Sequence, residues 1–257
     1  MANTLDEDLE LWAGLGISTV GLFLDKLEAA GLDTAAARMA DAGLAVSSIA
    51  CRGFSLAEPE TWAERAAALG AAVDVAAAVH AACLFVTAGT PGPLGWHECV
   101  AALDASLGPV RDRAAARGVR VAVEHTNPMR RDVGFIHTLR DMVEVARALG
   151  IGVVVEITNC WSERGVEQTI AEGADTFAVV QVSDYVVGTV CATERAVPGD
   201  GDIPLARLSR ACDDAGYRGI FELEMLGPRI EAEGYAPAIS RALTVLDQLL
   251  PGGPGAP

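Results

Sequence analysis

Residues 177–185 read FAVVQVSDY, residues 194–202 read ERAVPGDGD, and residues 219–226 read GIFELEML. The first and last are short apolar runs that keep polar side chains: Gln181, Ser183 and Asp184 in one, Glu222 and Glu224 in the other. A carboxylate among Ile, Phe, Leu and Met is costly unless a cation or a hydrogen-bond donor meets it. Between the two runs lie a turn-rich bridge and a helical stretch, which together predict a strand–helix–strand unit. In parallel α/β folds the chemistry gathers at the C-terminal ends of the strands, where these polar groups fall.

The same alternation extends along the chain. Apolar runs at 18–24 (STVGLFL), 44–51 (LAVSSIAC), 83–89 (CLFVTAG), 119–126 (VRVAVEHT) and 152–159 (GVVVEITN) precede the two already quoted. Near-continuous hydrophobic runs are what parallel strands covered on both faces require. Alanine-rich helical patterns separate them, and Gly43, Gly118 and Gly150 close three of these just before the next strand. The order predicts a parallel sheet, and its regularity and length a (β/α)8 TIM barrel. Only seven strands can be read. LDEDLELWAGLG (5–16) is helical in pattern, so the first barrel strand is expected to be missing, very short or upstream. No linker divides the chain: residues 1–250 are expected to form one barrel domain. The tail 251–257, PGGPGAP, is expected to be disordered.

The 257 residues are 51% hydrophobic, enough for a large core, and carry a formal net charge of −16. That charge argues against a nucleic-acid partner, whose phosphates need a basic surface, and favours cations. No apolar run is long enough to span a membrane, and the acidic start MANTLDEDLE is unlike a signal peptide. The six cysteines are scattered without a CxxC pair and read as reduced core residues of a cytoplasmic protein.

Glu124, Glu156, Gln181 and Glu224 each come late in one of four consecutive strands. In a barrel such positions converge on one mouth. Three carboxylates and an amide gathered there would repel one another without a cation, and oxygen-only ligands suit Mg²⁺ or Mn²⁺ rather than zinc. The bland alternative is that each acid is merely a strand end wetted by solvent.

On these residues, with VPGDGDI (197–203) and GYRG (216–219), the chain resembles the xylose-isomerase-like TIM barrels over about residues 5–250. The resemblance implies metal ligands at Glu124, Glu156, Gln181 and Glu224, with Mn²⁺ or Mg²⁺ as cofactor. In that family the second ligand is Asp and the third His, where this chain has Glu156 and Gln181, and a family His falls at Asn159. The pattern QVSD…R…PGDGD resembles the 3-dehydroshikimate dehydratase branch. The implied chemistry is proton abstraction next to a carbonyl of a sugar or polyhydroxy ketone, giving an enediolate, with Glu124 and Glu224 moving the proton. Isomerisation, epimerisation and dehydration all branch from that intermediate. A barrel that has lost its metal and its catalysis is the third reading, motivated by the departures at 156, 159 and 181.

Further substrate contacts are expected from His125, Asn159, Trp161 and Arg195, the last toward a carboxylate or phosphate. Glu222 should lie on the face of Glu224 but one layer deeper, with an arginine as partner. The partner of the protein is expected to be a small polyhydroxy carbonyl compound. The missing strand points to self-association across an open seam.

Overall fold

The computed structural model describes residues 3–250, so the tail at 251–257 lies outside the described residues. Seven parallel strands form a nearly closed barrel: β1 (Thr19–Phe23), β2 (Ala45–Cys51), β3 (Cys83–Thr87), β4 (Val121–Glu124), β5 (Gly152–Glu156), β6 (Phe177–Val182) and β7 (Ile220–Leu223). They pair strictly in sequence order, leaving β1 and β7 at the two edges. Each expected strand is present, but most stop earlier than their apolar runs. At 152–159, for example, the strand ends at Glu156 and the chain turns into a short helix, Ile157–Cys160.

Helices on the outside cover the strands because their buried faces are apolar, as in Leu139–Leu149, which turns Leu139, Met142, Val143, Val145 and Ala146 inward. Gly43, Gly118 and Gly150 all take the left-handed conformation expected of a helix stop. Among the described residues no helix is long and apolar enough to cross a membrane. Five of the cysteines are buried; Cys191 is exposed, which corrects its assignment to the core.

The barrel interior is apolar at its base, where Cys83, Phe85, Ala122, Val154 and Val179 pack together. Toward the strand ends it becomes polar. Glu222 accepts hydrogen bonds from Ser47 and Ser48 of β2 at its Oε2, and from the Gln181 amide at its Oε1, 2.9 Å away. Its partner is therefore a pair of hydroxyls and an amide, not the expected arginine. A carboxylate of β7 bonded to β2 ties the two sides of the seam through side chains where no backbone ladder joins β7 to β1.

The seam itself holds a cavity of about 400 Å³. Leu11 and Trp12 of the helix Leu5–Gly14 and Tyr235 and Ile239 of the helix Tyr235–Leu249 line it. Gly21 in β1 makes the arrangement possible, because a Cβ there would lie 2.5 Å from a Glu222 carboxylate oxygen. Gly21→Ala is expected to destabilise the fold by about 1–3 kcal/mol through overpacking. Denaturant unfolding measures this, and the added substitution Glu222→Asp, which draws the carboxylate back, should recover part of the loss. An unchanged midpoint in Gly21→Ala would contradict the packing described.

Candidate active site

Glu124 and Glu156 are the last residues of β4 and β5, Gln181 is next to last in β6, and Glu224 follows β7 directly. Gln181 is in register with Glu156 on one side and Glu222 on the other. The resulting mouth is a cavity of about 250 Å³, with Glu124, Gln181 and Glu224 in its wall beside Asn159, Arg130 and Arg195. Glu156 is fully buried behind it. The Glu224 charge acts on the buried Glu156 carboxyl.

Packing acids this closely away from water shifts their protonation. Burial, reinforced by the Glu224 charge, pushes the Glu124 carboxyl up to about 8, against the pull of Arg195 and Arg130. Burial and Glu224 also hold Glu156 protonated well above the usual carboxylate range. Burial works against the charge on Arg195, but Glu156, Glu224 and Glu124 outweigh it and keep the guanidinium firmly protonated.

Secondary contacts orient each group. Glu156 caps the short helix after β5: its Oε1 accepts from the Thr158 amide at 2.8 Å and from the Thr158 hydroxyl at 2.5 Å. Its other oxygen has no partner. The Gln181 NH₂ is bound to Glu222, which turns the amide oxygen the other way, buried and unpartnered. An unpartnered amide oxygen and an unpartnered carboxyl oxygen, both buried beside two further carboxyls, fit an oxygen-preferring divalent cation in their chemistry once the carboxyls give up their protons. Among the described residues, however, no group of three acidic, histidine or cysteine side chains is gathered closely enough to chelate a metal. The side chains would have to draw in.

Asp184 explains the PGDGD stretch. Its buried carboxylate accepts from the amides of Tyr185, Gly199, Gly201 and Ile203 at 2.9–3.1 Å. Gly201 lies so close to this carboxylate that any side chain would collide with it. Asp184 and Ala196 also exchange backbone hydrogen bonds. The bridge is thereby folded back over the mouth, and Arg195 is carried into it.

Of the other expected contacts, Asn159 does line the mouth and donates to the His125 carbonyl at 3.0 Å. His125 does not: its side chain is fully buried outside the cavity wall, because successive residues of a strand face opposite ways. Trp161 packs against the hydrophobic core as a loop anchor and is absent from the cavity wall. Arg130 was not foreseen. It follows β4 in the loop NPMRRD, lines the mouth and is held by Asp132 at 2.9 Å; its place just beyond Glu124 was the available signal.

A family model for the xylose isomerase-like TIM barrel matches residues 9–247, and the chain belongs to that family. No curated protein sequence matches it. Among solved structures it is similar to a protein of Sinorhizobium meliloti 1021 (TM-score 0.84, 23% identity, 98% of this chain and 95% of that one). It is also similar to the IolI protein, solved with a binding zinc atom (TM-score 0.83, 16% identity, 96% and 93%). A third is the 3-keto-D-glucoside 4-epimerase of E. coli (TM-score 0.75, 16% identity, 95% and 97%).

The protonation pattern sets a pH dependence. Glu124 holds its proton to about 8 when folded, against an ordinary 4.5, so its contribution to stability is full below 4.5 and lost as pH rises through 8. Buried His125, pushed down to about 4 from 6.5, acts oppositely, gaining stability between those values. Above 6.5 the histidine no longer offsets the carboxylate. In chelator, Tm should therefore fall between about pH 6.5 and 8, and Glu124→Gln should flatten that fall. A wild-type Tm that rises over this interval would contradict the assignment.

Proposed function

We propose that the protein is an isomerase or epimerase of a sugar or related polyhydroxy ketone, acting by removal and return of a proton next to a carbonyl. The observation that carries this reading is Glu124 and Glu224 in the wall of one mouth, with the Glu124 carboxyl pushed up to about 8 by burial and the Glu224 charge. A group with that pKa is present in both forms near neutral pH, as a proton carrier must be. Glu124 and Glu224 come from non-adjacent strands, so they can approach one substrate carbon from different directions. A proton taken by one and returned by the other inverts the centre; one returned at the neighbouring carbon moves the carbonyl.

The remaining residues bind and orient. Asn159, whose NH₂ is tied to the His125 carbonyl, offers its amide oxygen to a substrate hydroxyl. Arg130, clamped by Asp132, presents a fixed guanidinium at the rim. Glu124, Glu156, Gln181 and Glu224 would hold a divalent cation, Mn²⁺ or Mg²⁺. Such an ion supplies Lewis acidity toward a carbonyl oxygen and its neighbouring hydroxyl. The zinc of the IolI structure and the ketone substrate named for the E. coli epimerase support this reading. The dehydratase alternative rests on Gln181 in place of histidine, and differs in expelling a hydroxyl as water after the same proton is removed.

The test is incubation of a panel of ketoses and keto-cyclitols in D₂O with Mn²⁺, followed by NMR. At least one should gain deuterium beside its carbonyl, and Glu124→Gln and Glu224→Gln should each slow this by about 10²-fold or more. Deuterium uptake with loss of water would favour the dehydratase reading. No exchange in any compound, with either Mn²⁺ or Mg²⁺, would contradict the proposal.

A further inference from the structure

The acids at the mouth already have a cation of their own. Arg195 is 6% exposed, and its Nη2 lies 3.3 Å from Glu224 Oε2 while Nη1 donates to the Ala192 carbonyl at 2.6 Å. Glu124 lines the same cavity as Arg195 and Glu224. The Arg195 Nε is buried and has no partner. This is an incomplete set of bonds for a buried arginine, and it indicates a guanidinium held by the field of the acids more than by a built hydrogen-bond pocket.

The backbone around it is built to place it there. The Arg195 amide donates to the Leu226 carbonyl at 3.0 Å, and Ala196 is bridged to Asp184. Gly227, with φ +104°, presses against the segment from Thr193 to Arg195 so closely that a Cβ there would lie 2.9 Å from the Glu194 Cα. Both loops that border the mouth thus hold the Arg195 backbone beside the acids.

We propose that Arg195 is the resident counter-cation of the mouth, paired with Glu224 beside Glu124, so that the fold needs no metal and a divalent ion enters only by displacing its guanidinium. Arg195 then acts as an electrostatic gate on metal loading. The inference rests on the cation-site reading of these residues, but not on the reaction proposed for them. Removing the guanidinium should tighten metal binding while making the apo fold depend on metal. A residue that merely contacts substrate would do neither.

The experiment compares wild type with Arg195→Gln, both without substrate. Mn²⁺ titration followed by EPR should show at least about tenfold tighter binding in Arg195→Gln, because a positive charge has left the site. Excess chelator should leave the wild-type Tm unchanged but lower that of Arg195→Gln, with Mn²⁺ restoring it. Equal Mn²⁺ affinity in the two proteins would overturn the proposal, and so would a wild-type Tm that collapses in chelator. Should the variant fail to fold, hydrogen exchange on the wild type decides. Saturating Mn²⁺ should speed amide exchange in residues 192–196 as the Arg195 contacts are released; unchanged or slowed exchange there would overturn the idea. These readouts involve no turnover, so a failed deuterium-exchange assay and a failed gate are distinguishable.

Discussion

Like-charge repulsion at the barrel mouth is the constraint around which the structure is organised. Strand order forces Glu124, Glu156 and Glu224 toward one opening, and Glu156 is completely buried there. Two unit charges 4 Å apart interact by roughly 4 kcal/mol at an effective dielectric near 20, so three ionised acids in one place would strain the fold severely. The molecule relieves this in two ways. Glu124 and Glu156 retain protons to unusually high pH, and Arg195 brings in a compensating charge. The same two devices are useful chemically, since a carboxyl that holds its proton near neutral pH can also exchange it.

The rest of the mouth keeps these groups aimed. Asp184 gathers the amides of the bridge 199–203 and folds it over the strand ends. Glu222, locked by Ser47, Ser48 and Gln181, turns the Gln181 amide oxygen away from itself and stitches the barrel across its weakest line. The seam between β1 and β7 and the polar interior are thus connected. Where a backbone ladder would have closed the barrel, a buried carboxylate and its donors do so.

Much of this was legible in the sequence. Apolar runs separated by glycine-capped helical stretches gave the strands and their parallel order, and the seven readable runs pointed to a seam, which among the described residues lies between β1 and β7. Glu124, Glu156, Gln181 and Glu224 could be found because each is a polar residue at the end of an otherwise apolar strand. What escaped notice depends on contacts between distant residues. The serines that satisfy Glu222 lie some 175 positions away in β2, and only their adjacency inside an apolar run hinted at a role. Strand alternation pointed His125 away from the barrel axis, a substrate contact needed the chain to turn early, and its side chain is buried outside the cavity wall. Arg195 was read as a contact for a substrate anion, and it does line the mouth, but its pairing with Glu224 was not legible, since nothing in a linear pattern says that an arginine in the bridge folds back onto the acids of its own barrel.

The most direct measurement is a crystal structure of chelator-treated protein at neutral pH, free of divalent ions in its buffer. The account predicts the Arg195 guanidinium inside the mouth against Glu224, with Glu124 and Glu156 on either side of it and the Gln181 oxygen facing the same space. An Arg195 side chain extended into solvent, with the carboxylates turned apart from one another, would contradict it.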